Sequence, residues 1–492
     1  MEESFDMFRM RLDHMVQPNH PLVVLASRMP WDEIEGKLNQ LFQRKPRVVR
    51  ELELEDMFGK HKVIMGGGVS PAGRKRLPFR LMVSLLYLKH AYNESDESVV
   101  ERWSESPVWQ SFSGRVYYEH RKPCDGSLLT RFRQALGEEG VEELLAQTVN
   151  AAVLMGAIDR GELESVIVDS TVQEKAVAHP TDSRLLEKAR EKLVEVAKDE
   201  GVPLKQTFAK EGKQLSRKTG RYAHAKQFKR MKKTLKRHRT IVGRLARDAE
   251  RKSQGLAEDA KKRIGTVLGR VNKIVMQTKQ KKRLGDEPKI YSFHAPEVEC
   301  ISKGKSRNPF EFGVKVGVAT TLNGSLIVGA RAFPGNPYDG HTLNEQLEQA
   351  TILMQDMKVA PKTVYVDLGY RGVDAENSQV EIVHRGKSKR LGIKAMSKLR
   401  RRQAIEPVIG HLKSDHRMDR CHLKGSLGDS LHAVLCAAGY NIRWLMRMIL
   451  KYGIRHFLRL IFGPMAGLFG GYWEARSENR PLLPGIMALQ AA

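Results

Sequence analysis

The sequence predicts an α/β protein with a mixed-sheet core, preceded by an all-α N-terminal domain and interrupted by a basic helical insertion. Three observations carry this. Apolar residues recur with a helical period through the first third of the chain, then with period 2 in ESVIVDSTV at residues 164–172. Strand patterns resume only after residue 290. Between them, residues 205–283 hold 27 Lys and Arg against 5 acids.

At 492 residues, with 41% hydrophobic and 29% charged, the chain is long enough for several cores. Its net charge of +27 is concentrated in the basic stretch, which points to a polyanionic partner. Four cysteines, Cys124, Cys300, Cys421 and Cys436, form no CxxC pair, which fits a reducing compartment and supplies no zinc framework. MEESFDMF at the start lacks the cationic and apolar regions of a secretory signal. Residues 457–473 are short for a membrane span, rich in Gly and interrupted by Arg459, and read as a terminal helix and loop. A soluble, cytoplasmic protein without membrane contact is expected.

Taken in order, residues 1–65 read as a helical preface, with a helical stripe in WDEIEGKLNQLF. Residues 66–160 read as a helical domain that follows the loop GGGVSPAGRKRLP. Within it, SDESVVERW opens like a capping box, and SLLTRFRQALG puts Arg131 and Arg133 after an N-cap serine, a pattern shared by a helix-turn-helix reading head and a plain helical bundle. Residues 161–180 and 290–452 make the sheet core, and residues 181–289 the insertion, read as a helical hairpin rather than a thick core. Its cations, among them Lys229, Arg230, Lys232 and Lys233, suit phosphate contact. After it come two strands around Asn323-Gly324, an amphipathic helix at 343–357, strands at 362–372 and 379–386, and a long helix from 429 to 451. Residues 453–492 form a tail. No internal repeat, P-loop, GxGxxG or HExxH is present.

Three acids stand out. Asp169 sits in an apolar strand and Asp367 ends another, where a buried carboxylate is costly without a metal or cation. Glu406 lies four residues after Arg402 and seven before Lys413, which on one helix returns all three to within about 40° of one face. Without the insertion, the order is strand, hairpin, helix, strand, strand, helix, that of a ribonuclease-H-like domain. Three unpaired acids brought together repel; two Mg²⁺ or Mn²⁺ ions remove the conflict and suit oxygen ligands.

These residues resemble the DDE transposases of bacterial insertion sequences, in the group of insertion sequence five and its relatives. The family's first aspartate ends a VDST-like strand, here VIVDST; its second precedes Gly and an aromatic, here VYVDLGYRG. Its glutamate is flanked by Arg and Lys, here Arg402 and Lys413. Where the family usually has Tyr three residues before the Arg, this chain has Leu399. AHPTDSRLL, PGNPYDGHTL and IGHLKSDHRMDR also look familial, and the likeness covers residues 70–450 or so.

The resemblance implies Asp169, Asp367 and Glu406 as catalytic metal ligands for two Mg²⁺ or Mn²⁺ ions, with Arg402 and Lys413 gripping a DNA phosphate. Asp339 and His341 in YDGHT are candidates for turn stabilisation or, for His341, a phosphate contact; Tyr370 and Arg371 are candidates for flanking DNA. Asp419 is a rival third acid, and His411, His416, Cys421 and His422 a rival zinc set whose spacing matches no finger. The expected activity is end cleavage at terminal inverted repeats and joining of 3′-hydroxyls to target DNA, by a homodimer on double-stranded DNA in a bacterial, nucleoid-associated setting. The alternatives are a silent transposase-derived DNA-binding protein and a ribonuclease-H-like nuclease without strand transfer.

Overall fold

The structure is a computed structural model that describes residues 9–43, 50–56, 59–65, 76–279, 288–302, 309–373, 377–390 and 392–466. The chain opens with α1 (Pro21–Arg28), which has Pro at its first position and the His20 ring accepting from the Leu22 N–H, and α2 (Trp31–Leu41). The expected preface is not helical throughout. β1 (Arg50–Asp56) and β2 (Gly59–Met65) pair antiparallel. The alternation in ELELED, apolar at every second position, is the strand period that permits this. Most of the expected glycine-rich loop, residues 66–75, lies outside the described residues.

Next come α3 (Phe79–Ala91), buried along nearly its whole length, and α4 (Asp96–Glu105), whose Ser95 and Ser98 form a capping box. α5 (Pro107–Phe112) is short, and α6 (Gly126–Leu154) bends at Gly137, whose φ of 64° lies in the left-handed region that glycine adopts freely. Leu25, Ile34 and Leu38 share one core with Leu85, Trp103 and Leu144 and with Val166, Val168 and Val316 of the sheet. The preface, the helical domain and the sheet are therefore packed together.

β3 (Ser165–Glu174) is followed by the insertion: α7 (Asp182–Asp199), α8 (Ala209–His224), α9 (Phe228–Ser253) and α10 (Glu258–Lys279). It is four helices around a core of its own, not a thin hairpin. Leu186 and Leu193, Ile241 and Leu245, and Ile264, Val271 and Ile274 meet there, with the regular spacing of buried helix faces.

The core resumes with β4 (Glu299–Ser302), β5 (Phe310–Thr321), β6 (Ile327–Phe333), α11 (Asp339–Leu353), β7 (Thr363–Tyr365) and β8 (Glu381–Val383). The sheet order is β4-β5-β3-β7-β8, and β6 also pairs with β5. β5 runs antiparallel to β3, β4 and β6, whereas β7 runs parallel to both β3 and β8. The β5–β6 connection is longer than a two-residue Asn323-Gly324 turn: pairing stops at Thr320 opposite Ile327 beside a bulge, and Ser325 takes the positive φ of 55°. α12 (Ile393–Arg401), α13 (Ile405–Asp415) and α14 (Gly425–Ala466) are the last helices among the described residues. α14 crosses α3 at Gly439, where an added Cβ would lie 2.5 Å from the His90 backbone carbonyl carbon. No helix among the described residues is long and apolar enough to cross a membrane.

Candidate active site

Sheet register brings the two aspartates level. Ser165, Val166 and Ile167 pair in parallel with Thr363, Val364 and Tyr365, and Asp169 and Asp367 each follow the last pair by two residues. Alternation then sets the faces. Val166, Val168, Val364 and Val366 point into the large core, while Ile167, Tyr365 and Val383 point to the other side, where they pack with Leu399 and Ile405. By the same alternation Asp169 falls on this second face and Ser170 on the first, while Asp367 lies just past the end of β7, where the chain turns.

Leu399 and Ile405 seat the Glu406 segment over that face, and α13 packs directly against β3. The helix is not continuous from Arg402 to Lys413. A 3-10 turn, Arg402–Ala404, separates α12 from α13. Pro407 accounts for the break, since it has no N–H for the Gln403 carbonyl and restricts the residue before it. Arg402 nevertheless reaches the cluster: its Nη1 lies 3.5 Å from Asp169 Oδ2, with the two side chains 15% and 22% exposed. Here the guanidinium is a counter-ion to the first acid. Glu406 is exposed at the start of α13, and Lys413 lies half-buried two turns on.

On the second strand, Asp367 caps a 3-10 turn, Leu368–Tyr370, with its Oδ1 accepting from the Gly369 N–H at 2.6 Å. That turn drives Tyr370 inward, to 1% exposure, so it does not face DNA as expected. Its hydroxyl comes near Thr342 but forms no well-aligned hydrogen bond. Burial, and then the charges of Asp339, Asp169 and Asp367, raise its pKa well above the usual phenol value.

Asp339, expected only to stabilise a turn, stands beside these groups. Its Oδ1 accepts from Ser170 Oγ at 2.9 Å and from Lys315 Nζ at 3.0 Å. Neither Ser170 nor Lys315 stands out in the sequence as a site residue. The available signal is Lys315 itself, a cation in the apolar strand FEFGVKVGVATT that must find an anion when half-buried.

The donor set is carboxylate oxygen at the ends of β3 and β7, the ligand type of a hard divalent cation. An orphaned buried hydroxyl among the acids marks the same spot as polar. The residues fit such an ion by chemistry, although the oxygens of Asp169, Asp367 and Glu406 do not all lie within 4.8 Å of one another.

Other expected contacts divide. Arg133 is 1% exposed and bound to Asp96 at 2.7 Å, which removes it as a DNA-reading residue, whereas Arg131 is exposed. His341 and Arg371 are exposed, the latter donating to the Leu368 carbonyl at 3.1 Å. Lys229, Arg230, Lys232 and Lys233 are exposed on α9. Asp419 lies beyond α13 and acts electrostatically on His422 and Cys436. The rival zinc set does not assemble: His416 is buried against the His90 carbonyl, and His411 is exposed beside Asp415. The His/Cys group that does converge among the described residues is His90, His432 and Cys436, in the α3–α14 contact.

Residues 10–135 match the family described as Transposase domain (DUF772), and residues 273–442 the family described as Transposase DDE domain. The chain is also 42% identical, over 223 residues, to a Rhizobium meliloti protein described as uncharacterized protein ORF8 in nfe locus. The match covers 45% of this chain and 95% of that relative. No solved structure matches.

Proposed function

The chain belongs to the DDE-domain transposases, and from that premise we propose that it binds the terminal inverted repeats of an insertion sequence, cleaves at its ends and joins them to target DNA. The observation that supports this reading is that Asp169 and Asp367 each follow the last β3–β7 pair by two residues, beside the cluster that seats the Glu406 segment.

Asp169, Asp367 and Glu406 would hold two Mg²⁺ or Mn²⁺ ions. Such ions supply Lewis acidity at phosphodiester oxygens and lower the pKa of an attacking water. Around them, the protein's own groups set position. The Gly369 N–H fixes one Asp367 oxygen, and Arg402 balances Asp169 and stands where a phosphate would approach. Lys413, His341 and Arg371 would contribute phosphate contacts, and Arg131 a contact to the end sequence.

In the first step, water oxygen bonds to phosphorus at the element's end, and the P–O3′ bond breaks to leave a 3′-hydroxyl and a 5′-phosphate. In the second, that 3′-hydroxyl attacks a target phosphodiester, forming a new linkage and releasing the target's own 3′-hydroxyl. Bonds are exchanged one for one in the second step, so no nucleotide cofactor is needed. The exposed cations of α9 would hold backbone, and pairing two ends would require a dimer on the DNA.

The test is cleavage of a labelled duplex carrying the element's end, with Mg²⁺, by wild type and Asp367→Asn. Nicking at the end followed by joining, absent in the variant, is expected. Nicking without joining would replace this reading with a nuclease, and specific binding without cutting by either protein would replace it with an end-binding regulator.

A further inference from the structure

We propose that Asp339 is a fourth carboxylate of the acid cluster and a positioning residue for it, tying the strand of Asp169 to the turn of Asp367. Three observations converge. Through Ser170 Oγ, 2.9 Å away, Asp339 Oδ1 is fastened to the residue that follows Asp169. Its Oδ2 lies 3.2 Å from the point a Cβ on Gly369 would occupy, and Asp367 Oδ1 lies 2.9 Å from that point. The two carboxylates are therefore no further apart than the sum of those distances. Beside them the Tyr370 hydroxyl, on a side chain 1% exposed, has no well-formed hydrogen bond and stands in the field of Asp339, Asp169 and Asp367. An orphaned buried hydroxyl at that place is a polar group that the neighbouring side chains do not themselves satisfy.

Charge gives Asp339 a second role. Lys315 Nζ sits 3.0 Å from its Oδ1 and also donates to the Pro337 carbonyl at 2.6 Å. The cation holds the start of α11 to β5 and offsets one negative charge beside the cluster. Removing the acid makes the site less anionic; removing the lysine makes it more so. A purely structural ion pair predicts no such opposition, because both changes would only loosen the α11 start.

This inference rests on the metal-binding reading of the acids, and the experiment separates the two. Free Mn²⁺ is counted by electron paramagnetic resonance during titration of the full chain, for wild type, Asp367→Asn, Asp339→Asn, Lys315→Met and Ser170→Ala. Asp339→Asn is expected to weaken Mn²⁺ binding about tenfold, as loss of a supporting partner does. Lys315→Met is expected to tighten it, and Ser170→Ala to weaken it less than Asp339→Asn. Melting temperature without metal reports folding of each variant. Wild-type affinity in Asp339→Asn beside a loss in Asp367→Asn would overturn the role of Asp339 alone. Weakening in both Asp339→Asn and Lys315→Met would reduce the pair to a structural clamp. Absence of Mn²⁺ binding by wild type would remove the metal-site reading itself, and the inference with it.

Discussion

At Asp96 three side chains from separate helices form one buried unit. Lys89 Nζ lies 2.6 Å from one oxygen, and Arg133 Nη2 lies 2.7 Å from the other. Burial alone would raise the Asp96 pKa, but hydrogen bonding to Arg133 and the Lys89 charge prevail and hold it well below the usual carboxylate range. Burial and the Arg133 charge push Lys89 down to about 8. Replacing Asp96 by Asn leaves two buried cations without their anion, and we expect a loss of about 3–5 kcal/mol in urea unfolding; a loss below about 1 kcal/mol would show that the cations find water instead. Nearby histidines respond to pH. Burial lowers His416 to about 4, against a hydrogen bond to the His90 carbonyl, and lowers His432 to about 3. Both folded values lie under the unfolded value of about 6.5, so the unfolded chain binds more protons below that pH. Their contribution is complete above about 6.5 and drains away as pH falls toward the two folded values. Stability should therefore decline by up to about 1.4 kcal/mol per pH unit for each histidine between about pH 6 and 5. Unfolding midpoints that stay level over about pH 7 to 5 would contradict it. None of this unit is readable in the sequence, because Asp96 and Arg133 are 37 residues apart and a cap followed by arginines looks the same whether it faces solvent or an acid.

For whole elements, legibility depends on period and on length. The strand that bears Asp169 and the β5–β6 pair are readable because their apolar residues are dense and buried. β7 and β8 are only three residues each, so their place between β3 and the sheet edge comes from pairing rather than pattern. The helix of Glu406 is readable as a face, but Pro407 breaks it, and the sheet face that seats Leu399 and Ile405 does the aligning. In the insertion the charge is plain and the core is not, since basic residues outnumber the apolar stripe on α9. Changing Lys229, Arg230, Lys232 and Lys233 together to Gln should weaken binding to any duplex. It should also reduce the slope of log affinity against log salt by about 0.9 for each phosphate that the variant no longer neutralises. An unchanged slope in a fluorescence anisotropy titration would remove α9 from the DNA. A second element-level expectation concerns the α3–α14 crossing. Gly439→Ala must push backbone apart at His90, costing about 1–3 kcal/mol; thermal denaturation equal to wild type would mean the crossing yields.

Across the described residues the two larger of three buried cores set the cooperativity. One joins α1 to α6, the sheet and α14, so the N-terminal helices and the acid-bearing sheet should unfold together. The other lies within the insertion, closed by Ile290 and Phe293 on the way back to the sheet. The two meet at a buried staple: Lys175, just past β3, lies 3.0 Å from Glu297 and 2.8 Å from Asp429 at the start of α14. Burial would lower the Lys175 pKa, but the hydrogen bond and charge of Asp429 raise it above the usual lysine value. The staple ties the return from the basic bundle to the acid-bearing sheet, while leaving the bundle free to unfold as its own cooperative unit. Calorimetry should therefore resolve two transitions, with amide exchange in α7 to α10 following one and exchange in β3, β5 and α14 following the other. Lys175→Met would leave Glu297 and Asp429 facing each other without a cation; we expect it to lower the core transition and to spare the bundle transition. A single transition that includes all these amides, in wild type and variant alike, would show instead that bundle and core are one cooperative body.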